Sequence, residues 1–247
     1  MADLTAQDLK VPIPRGLDRD AEDRWRWRRF IEDYLACVAS IDDNVGRLLG
    51  WLEDSGLAEK TVVVYTSDQG FFLGEHGWFD KRFMYEESVR MPLLVRYPAE
   101  VAAGSVSKDI VLNLDFAPTF CEIAGVPIPA FMQGRSLAPI LVGRRPADWR
   151  TSFYYRYWMH LDGAHQVQAH YGVRTERHKL VRYPGEGGGV AGASDKRRQP
   201  AWELFDLETD PHELRSVYDD PAHAAEVLSL RAELRRLQDD VGDAPPG

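Results

Sequence analysis

Thr61-Val62-Val63-Val64-Tyr65-Thr66-Ser67-Asp68-Gln69-Gly70 carries the strongest local signal in the chain. Its first six residues form a continuous β-branched and aromatic run, the composition of a strand buried on both faces. Its last four are polar and end in glycine, as where a strand gives way to a turn. Upstream, Phe30, Tyr34, Cys37, Ile41, Val45, Leu48 and Leu52 recur in steps of three and four. That spacing predicts a long amphipathic helix from about Asp23 to Asp54, stopped near Ser55-Gly56. Helix, tight loop and buried strand follow the order of a parallel α/β sheet. Downstream, a loop rich in glycine and aromatics runs from Gly70 to about Phe83, and residues 91–98 read as a second strand bracketed by prolines.

Further along, Asn113 to Thr119 opens a short helix with Asp115 as its N-cap, ending at Ala124-Gly125. Gly134-Arg135-Ser136-Leu137 begins another turn or short helix that ends at Gly143. After Trp149 the texture changes to short aromatic strands: Phe153 to Trp158, Tyr171 to Thr175, Lys179 to Tyr183 and Trp202 to Asp206. A glycine-rich surface loop, residues 185–192, separates the last two. A final helix from about Pro221 to Val241 places Val227, Leu230, Leu234 and Leu237 on one side. The fold class is therefore α/β: a parallel sheet with flanking helices over residues 1–148, then a small antiparallel sheet with one helix over residues 149–247.

Composition narrows the function. Thirty Lys and Arg against 39 Asp and Glu leave a net charge of −9 in 247 residues, which argues against nucleic-acid binding because a phosphate backbone needs a basic face. Lys196-Arg197-Arg198 is too short to reverse this and reads as a solvated loop. A hydrophobic share of 44% excludes a disordered chain. The two cysteines, Cys37 and Cys121, form no Cys-x-x-Cys pair, so zinc-ribbon and disulfide-stapled scaffolds are excluded and a buried apolar role is expected for each. No apolar run approaches the roughly 18 residues of a membrane span. Residues 1–29 have no signal-peptide core, and the compartment is left unread.

Asp68 and Gln69 stand at the carboxyl end of the first strand, where ligands gather in open α/β sheets, and both offer hard oxygen donors suited to calcium or magnesium. Neighbouring strand residues face opposite ways, so the two share an ion only if the strand ends at Asp68 and the chain turns, which Gly70 permits. The alternative is that Asp68 caps a turn and Gln69 is solvated. In an acidic chain an anion needs a local positive cluster, and His76, Lys81 and Arg82 supply one on the adjoining loop. The alternative there is a surface loop with Lys81 paired to Asp80 or Glu86. Phe71, Phe72, Trp78 and Phe79 serve packing or sugar stacking, with packing favoured.

The run from Tyr34 to Pro98 resembles the later part of the sulfatase family, within the alkaline-phosphatase-like superfamily. The matching pieces are residues 34–46, Thr66-Ser67-Asp68-Gln69-Gly70, Gly74-Glu75-His76-Gly77, Trp78 through Ser88 and Met91-Pro92-Leu93-Leu94. Asp115-Phe116-Ala117-Pro118-Thr119, Gln133 through Leu137, Tyr171 through Thr175 and Trp202 through Leu207 are similar to the family's C-terminal subdomain. The resemblance implies that Asp68 and Gln69 are ligands of Ca2+, with Mg2+ the other hard cation to consider. It implies that Lys81 is a catalytic residue contacting the sulfate and the bridging oxygen. Through the C-terminal subdomain it makes His170 a substrate-binding candidate, against the alternative of a packed core histidine. His76, held between glycines, is the second such candidate.

The family's nucleophile is a cysteine converted to formylglycine within Cys-x-Pro/Ala-Ser-x-Arg, and neither cysteine matches. Cys37-Val38-Ala39-Ser40-Ile41 lacks the arginine and lies on the helical stripe, where burial would leave it inert. Asp42-Asp43 follows a helical segment and not a first strand, so it is not the family's early aspartate pair. The expectation is therefore the carboxyl-terminal half of a sulfatase, inactive alone, its formylglycine in a missing N-terminal half. The origin stays open: a truncated reading frame, a shortened piece, or one chain of a split protein with that half as a separate partner. The implied reaction is sulfuric ester hydrolysis on a sulfated small molecule or glycan, with sugar sulfates ahead of steroid or aryl sulfates. The alternatives are a phosphodiesterase or phosphonate hydrolase of the same superfamily, and a non-catalytic module binding a glycan or partner chain.

Overall fold

The carboxylate of Asp18 accepts the Ala21 N–H at 2.8 Å and starts the longest element, α2 (Arg19–Asp54), after a single turn, α1 (Ala6–Leu9). Arg28–Glu32 and Arg29–Asp33 pairs, one turn apart, line its exposed surface, and Gly56 at φ +69° lets the chain leave. The computed structural model describes Leu4, residues 6–163 and residues 165–244. The chain divides into two compact units, Met1–Lys81 with Arg90–Ser105, and Arg82–Val89 with Val106–Gly247. The compositional boundary expected at residue 148 lies inside the second unit, because the texture of the sequence tracks strand content and not packing.

In the first unit the helical period is as expected, but the stripe is not buried. No residue of α2 is buried, Leu48 is 65% and Trp51 59% exposed, and Cys37 is exposed, which corrects the expectation of a buried thiol. Periodicity shows that a face is apolar; it does not supply the surface that covers it. Strand β1 (Val63–Thr66) pairs with β2 (Leu93–Arg96), and the pair is antiparallel, with Val63 opposite Arg96 and Thr66 opposite Leu93. This corrects the parallel reading for these two strands: the segment 67–92 leaves and re-enters the pair at the same end, so the strands run oppositely. Nor is β1 buried on both faces, since Tyr65 and its partner Leu94 are exposed. An apolar run reports what the faces are made of and is silent on strand direction.

The second unit contains the core. β3 (Ser152–Tyr157), β4 (His170–Thr175), β5 (His178–Tyr183) and β6 (Ala201–Asp206) form a four-stranded antiparallel sheet in chain order. All four match the expected strands to within a residue or so. On one face α6 (Ala224–Val241) lays Leu230 and Leu234 against Tyr171, Val173, Leu180 and Leu204, with Val227 and Leu237 partly buried at the margin. Short helices α3 (Glu86–Val89), α4 (Phe116–Ile123) and α5 (Ala138–Leu141) complete this unit. Asp115 precedes α4 but does not cap it. Its buried carboxylate accepts from the Arg135 and Leu112 N–H groups, each at 2.8 Å, and from the Arg150 guanidinium at 2.7 Å, tying three segments together. Among the described residues no helix is long and apolar enough to cross a membrane.

Candidate functional site

At the end of β1 the chain turns within Ser67, Asp68 and Gln69. The Ser67 hydroxyl donates to the Gln69 carbonyl at 2.9 Å and lies 3.3 Å from Asp68 Oδ1. Asp68 is exposed and Gln69 half-buried. Among the described residues the Asp68 carboxylate meets only that hydroxyl, so its oxygens face outward at the strand terminus.

The loop that follows is folded against α2 by its aromatics. Phe30 of the helix packs edge-on against Phe79, with centroids 4.9 Å apart, and stacks with Phe71 at 6.2 Å. The Trp27 indole donates to the Leu73 carbonyl at 3.1 Å. Gly74, at φ +118°, leaves only 3.4 Å between a would-be Cβ and that indole, so its backbone lies close to the ring. Phe72 is fully buried and meets the His76 ring edge-on. Phe71, Phe72 and Phe79 are thus packing residues.

Two hydrogen bonds close the loop, Gly74 N–H to the Trp78 carbonyl at 2.8 Å and Phe72 N–H to the Asp80 carbonyl at 2.7 Å. Lys81, half-buried, therefore emerges at the base of the loop that Asp68 and Gln69 enter. His76 is half-buried in the left-handed region at φ +54°, between left-handed Gly74 and Gly77. That is a strained position for an imidazole, held by the turn around it.

The donor chemistry fits a hard divalent cation in kind and only partly in number. The side chains of Asp68 and Gln69 offer three oxygens between them, whereas calcium takes roughly six to eight. Among the described residues no group of three or more His, Cys, Asp or Glu side chains is gathered as a metal site.

His170 lies in the second unit, on β4, and is buried. Its ring is surrounded by Tyr157 and Tyr183, each at 5.4 Å, Phe83 at 5.7 Å and Tyr155 at 5.8 Å between centroids. Burial pulls its pKa down to about 4, so the imidazole is neutral at physiological pH. Nδ1 lies 2.8 Å from the Gln168 carbonyl and must carry the proton, which leaves Nε2 as a buried acceptor with no donor among the described residues. The same unit has a cavity of about 930 Å³ lined in part by Arg135, Trp149, Arg150, Arg156 and Trp158. None of the expected site residues lines it, and Arg135, Arg150 and Arg156 are already paired with Asp148, Asp115 and Asp243. Trp27 and Phe30 support the loop that follows β1, a role signalled in the sequence only by the aromatic density of both segments.

The family profile described as N-sulphoglucosamine sulphohydrolase, C-terminal, matches residues 74–240, and the sulfatase profile matches residues 7–126. The N-acetylglucosamine-6-O-sulfatase of Bacteroides thetaiotaomicron is 44% identical over 224 residues, covering 90% of this chain and 38% of that protein. A solved structure of a protein in complex with its substrate D-glucosamine-2-N,6-O-disulfate superposes with a TM-score of 0.84 at 43% identity, over 94% of this chain and 44% of that one. A phosphonate monoester hydrolase from Silicibacter pomeroyi gives a TM-score of 0.74 at 26% identity, over 91% of this chain and 43% of its own. The chain spans less than half the length of each of these relatives.

Proposed function

Because the chain belongs to the sulfatase family, we propose that it forms the sulfate-gripping portion of a sulfuric ester hydrolase whose substrate is a sulfated sugar. In this reading Asp68 and Gln69 hold a calcium ion, with magnesium as the other hard cation their oxygens suit. When bound, the ion supplies fixed positive charge to the sulfate oxygens. The Lys81 ammonium lies against the bridging oxygen and stabilises the negative charge that grows there as the alcohol leaves. His76 contacts the substrate from the loop. His170 is enclosed by four aromatic rings with its Nε2 buried, so no substrate contact is assigned to it.

The attack on sulfur is assigned to no residue of this chain. Cys37 is exposed in the middle of α2 and Cys121 lies within α4, and neither belongs to a Cys-x-Pro/Ala-Ser-x-Arg segment. The formylglycine and the remaining cation ligands belong to the rest of the fold, supplied by continuous sequence or by a separate chain.

The observation that supports this reading is the β1 terminus, with an outward Asp68 carboxylate beside Gln69 and a loop that returns Lys81 to its base. The sugar preference is supported by the 44% identity to an N-acetylglucosamine-6-O-sulfatase. The test is sulfate release from N-acetylglucosamine 6-sulfate by a complete sulfatase carrying this sequence. Asp68→Ala and Lys81→Met each lower kcat/KM by roughly a hundredfold or more. Turnover that survives both substitutions overturns the assignment. The likeness to a phosphonate monoester hydrolase favours one second reading, hydrolysis of a phosphonate monoester, and the same protein assayed on both ester types separates the two.

A further inference from the structure

Residues 82–89, which follow Lys81 directly, are fastened to the sheet of the second unit almost residue by residue. The Tyr155 hydroxyl donates to the Arg82 carbonyl at 3.2 Å. Phe83 stacks on His170, and Met84 is buried against Val181 and Tyr183. Gly172 makes room for it: a Cβ there would stand 2.8 Å from Met84 Sδ and 2.4 Å from the Leu180 carbonyl. The Tyr85 hydroxyl donates to Glu203 at 3.1 Å.

Glu86 is the most heavily tied. Its N–H donates to Glu213 Oε2 at 2.6 Å, and its carboxylate receives Arg174 at 3.1 Å and the Lys179 ammonium at 2.9 Å. Lys179, on β5, is wholly buried and also lies 2.7 Å from Glu213, itself wholly buried. The two cations and two carboxylates balance. Apolar packing through Met84 alone would tolerate a slip along the sheet. A buried charge cluster does not, because a displaced Glu86 leaves Lys179 and Glu213 facing each other without their third partner.

We propose that Lys179 and Glu213 are positioning residues that set the register of the 82–89 segment through Glu86, and so fix the point from which Lys81 extends. The fastening stands on geometry within the second unit; its consequence for Lys81 rests on the reading of that ammonium as the sulfate contact.

The experiment compares wild type with Glu86→Gln and Lys179→Met by amide hydrogen exchange on the whole chain. Glu86→Gln is the gentler change, since Lys179 keeps Glu213, and it carries the test if Lys179→Met fails to fold. The expected result is exchange in 82–89 faster by about tenfold or more, with β4 and β5 changed by less than about twofold. No acceleration, or acceleration only together with β4 and β5, overturns the fastening. In a complete sulfatase Glu86→Gln is expected to lower kcat by about tenfold with KM little changed. Turnover that survives Lys81→Met rejects the Lys81 reading and leaves the exchange result intact. Turnover lost in Lys81→Met but unchanged in a loosened Glu86→Gln rejects positioning alone.

Discussion

The His170 imidazole is buried among four aromatic rings and stays neutral because its pKa is held at about 4 by burial. In the unfolded chain the same group titrates near 6.5, so the unfolded state takes up a proton first as pH falls. Stability is therefore complete above about pH 6.5 and drains away down to about pH 4. The carboxylates held low by their ion pairs, Glu86 and Glu233, contribute at lower pH, while burial holds Glu213 above its usual value and stabilises the fold as pH falls, so the His170 contribution is read as the difference between wild type and a variant without the imidazole. Between about pH 7 and pH 5, urea unfolding of the second unit should lose about 2 kcal/mol more in wild type than in His170→Phe. At this scale the place of Asp68 and Gln69 just past the end of β1 was legible, since a polar pair ending an apolar run is visible in one dimension. The burial of Lys179 was not. Lysine beside Leu180 and Val181 reads as an outward strand residue, and only its Glu86 and Glu213 partners, 93 positions before and 34 after it, make an inward one affordable.

Two helices with the same kind of stripe reach opposite fates. α6 buries Leu230 and Leu234 against the sheet, whereas α2 leaves Leu48 and Trp51 exposed. Leu234→Ala is expected to cost roughly 2–5 kcal/mol because a cavity opens between helix and sheet. Leu48→Ala in the same chain should cost less than about 0.5 kcal/mol, since no packed neighbour is lost. Thermal denaturation of the two variants side by side checks the contrast. The C-terminal strands were readable to within a residue or so because alternation and flanking turns are local properties. The direction of β2 against β1 was not, because direction depends on where a 26-residue connection returns.

Across the molecule, the buried apolar residues belong mainly to the second unit, while the first presents Leu35, Val38, Ile41, Leu48 and Trp51 along one helix and Tyr65 and Leu94 across a two-stranded sheet. An isolated pair of strands is marginal in water, and contiguous apolar surface is where other polypeptide packs. The purified chain should bind an apolar dye, and Leu48→Glu with Trp51→Glu should lower the emission about twofold while leaving the second unit's unfolding unchanged. The order of residues alone established the family, the α/β class and the C-terminal meander, and nominated Asp68, Gln69 and Lys81 as candidates, because period, turn chemistry and short motifs are written along one dimension. Which apolar face is covered, which way the first two strands run, and which buried charges anchor the segment after Lys81 emerged only on folding. Each depends on residues far apart in sequence meeting in space, and no local pattern encodes such a meeting.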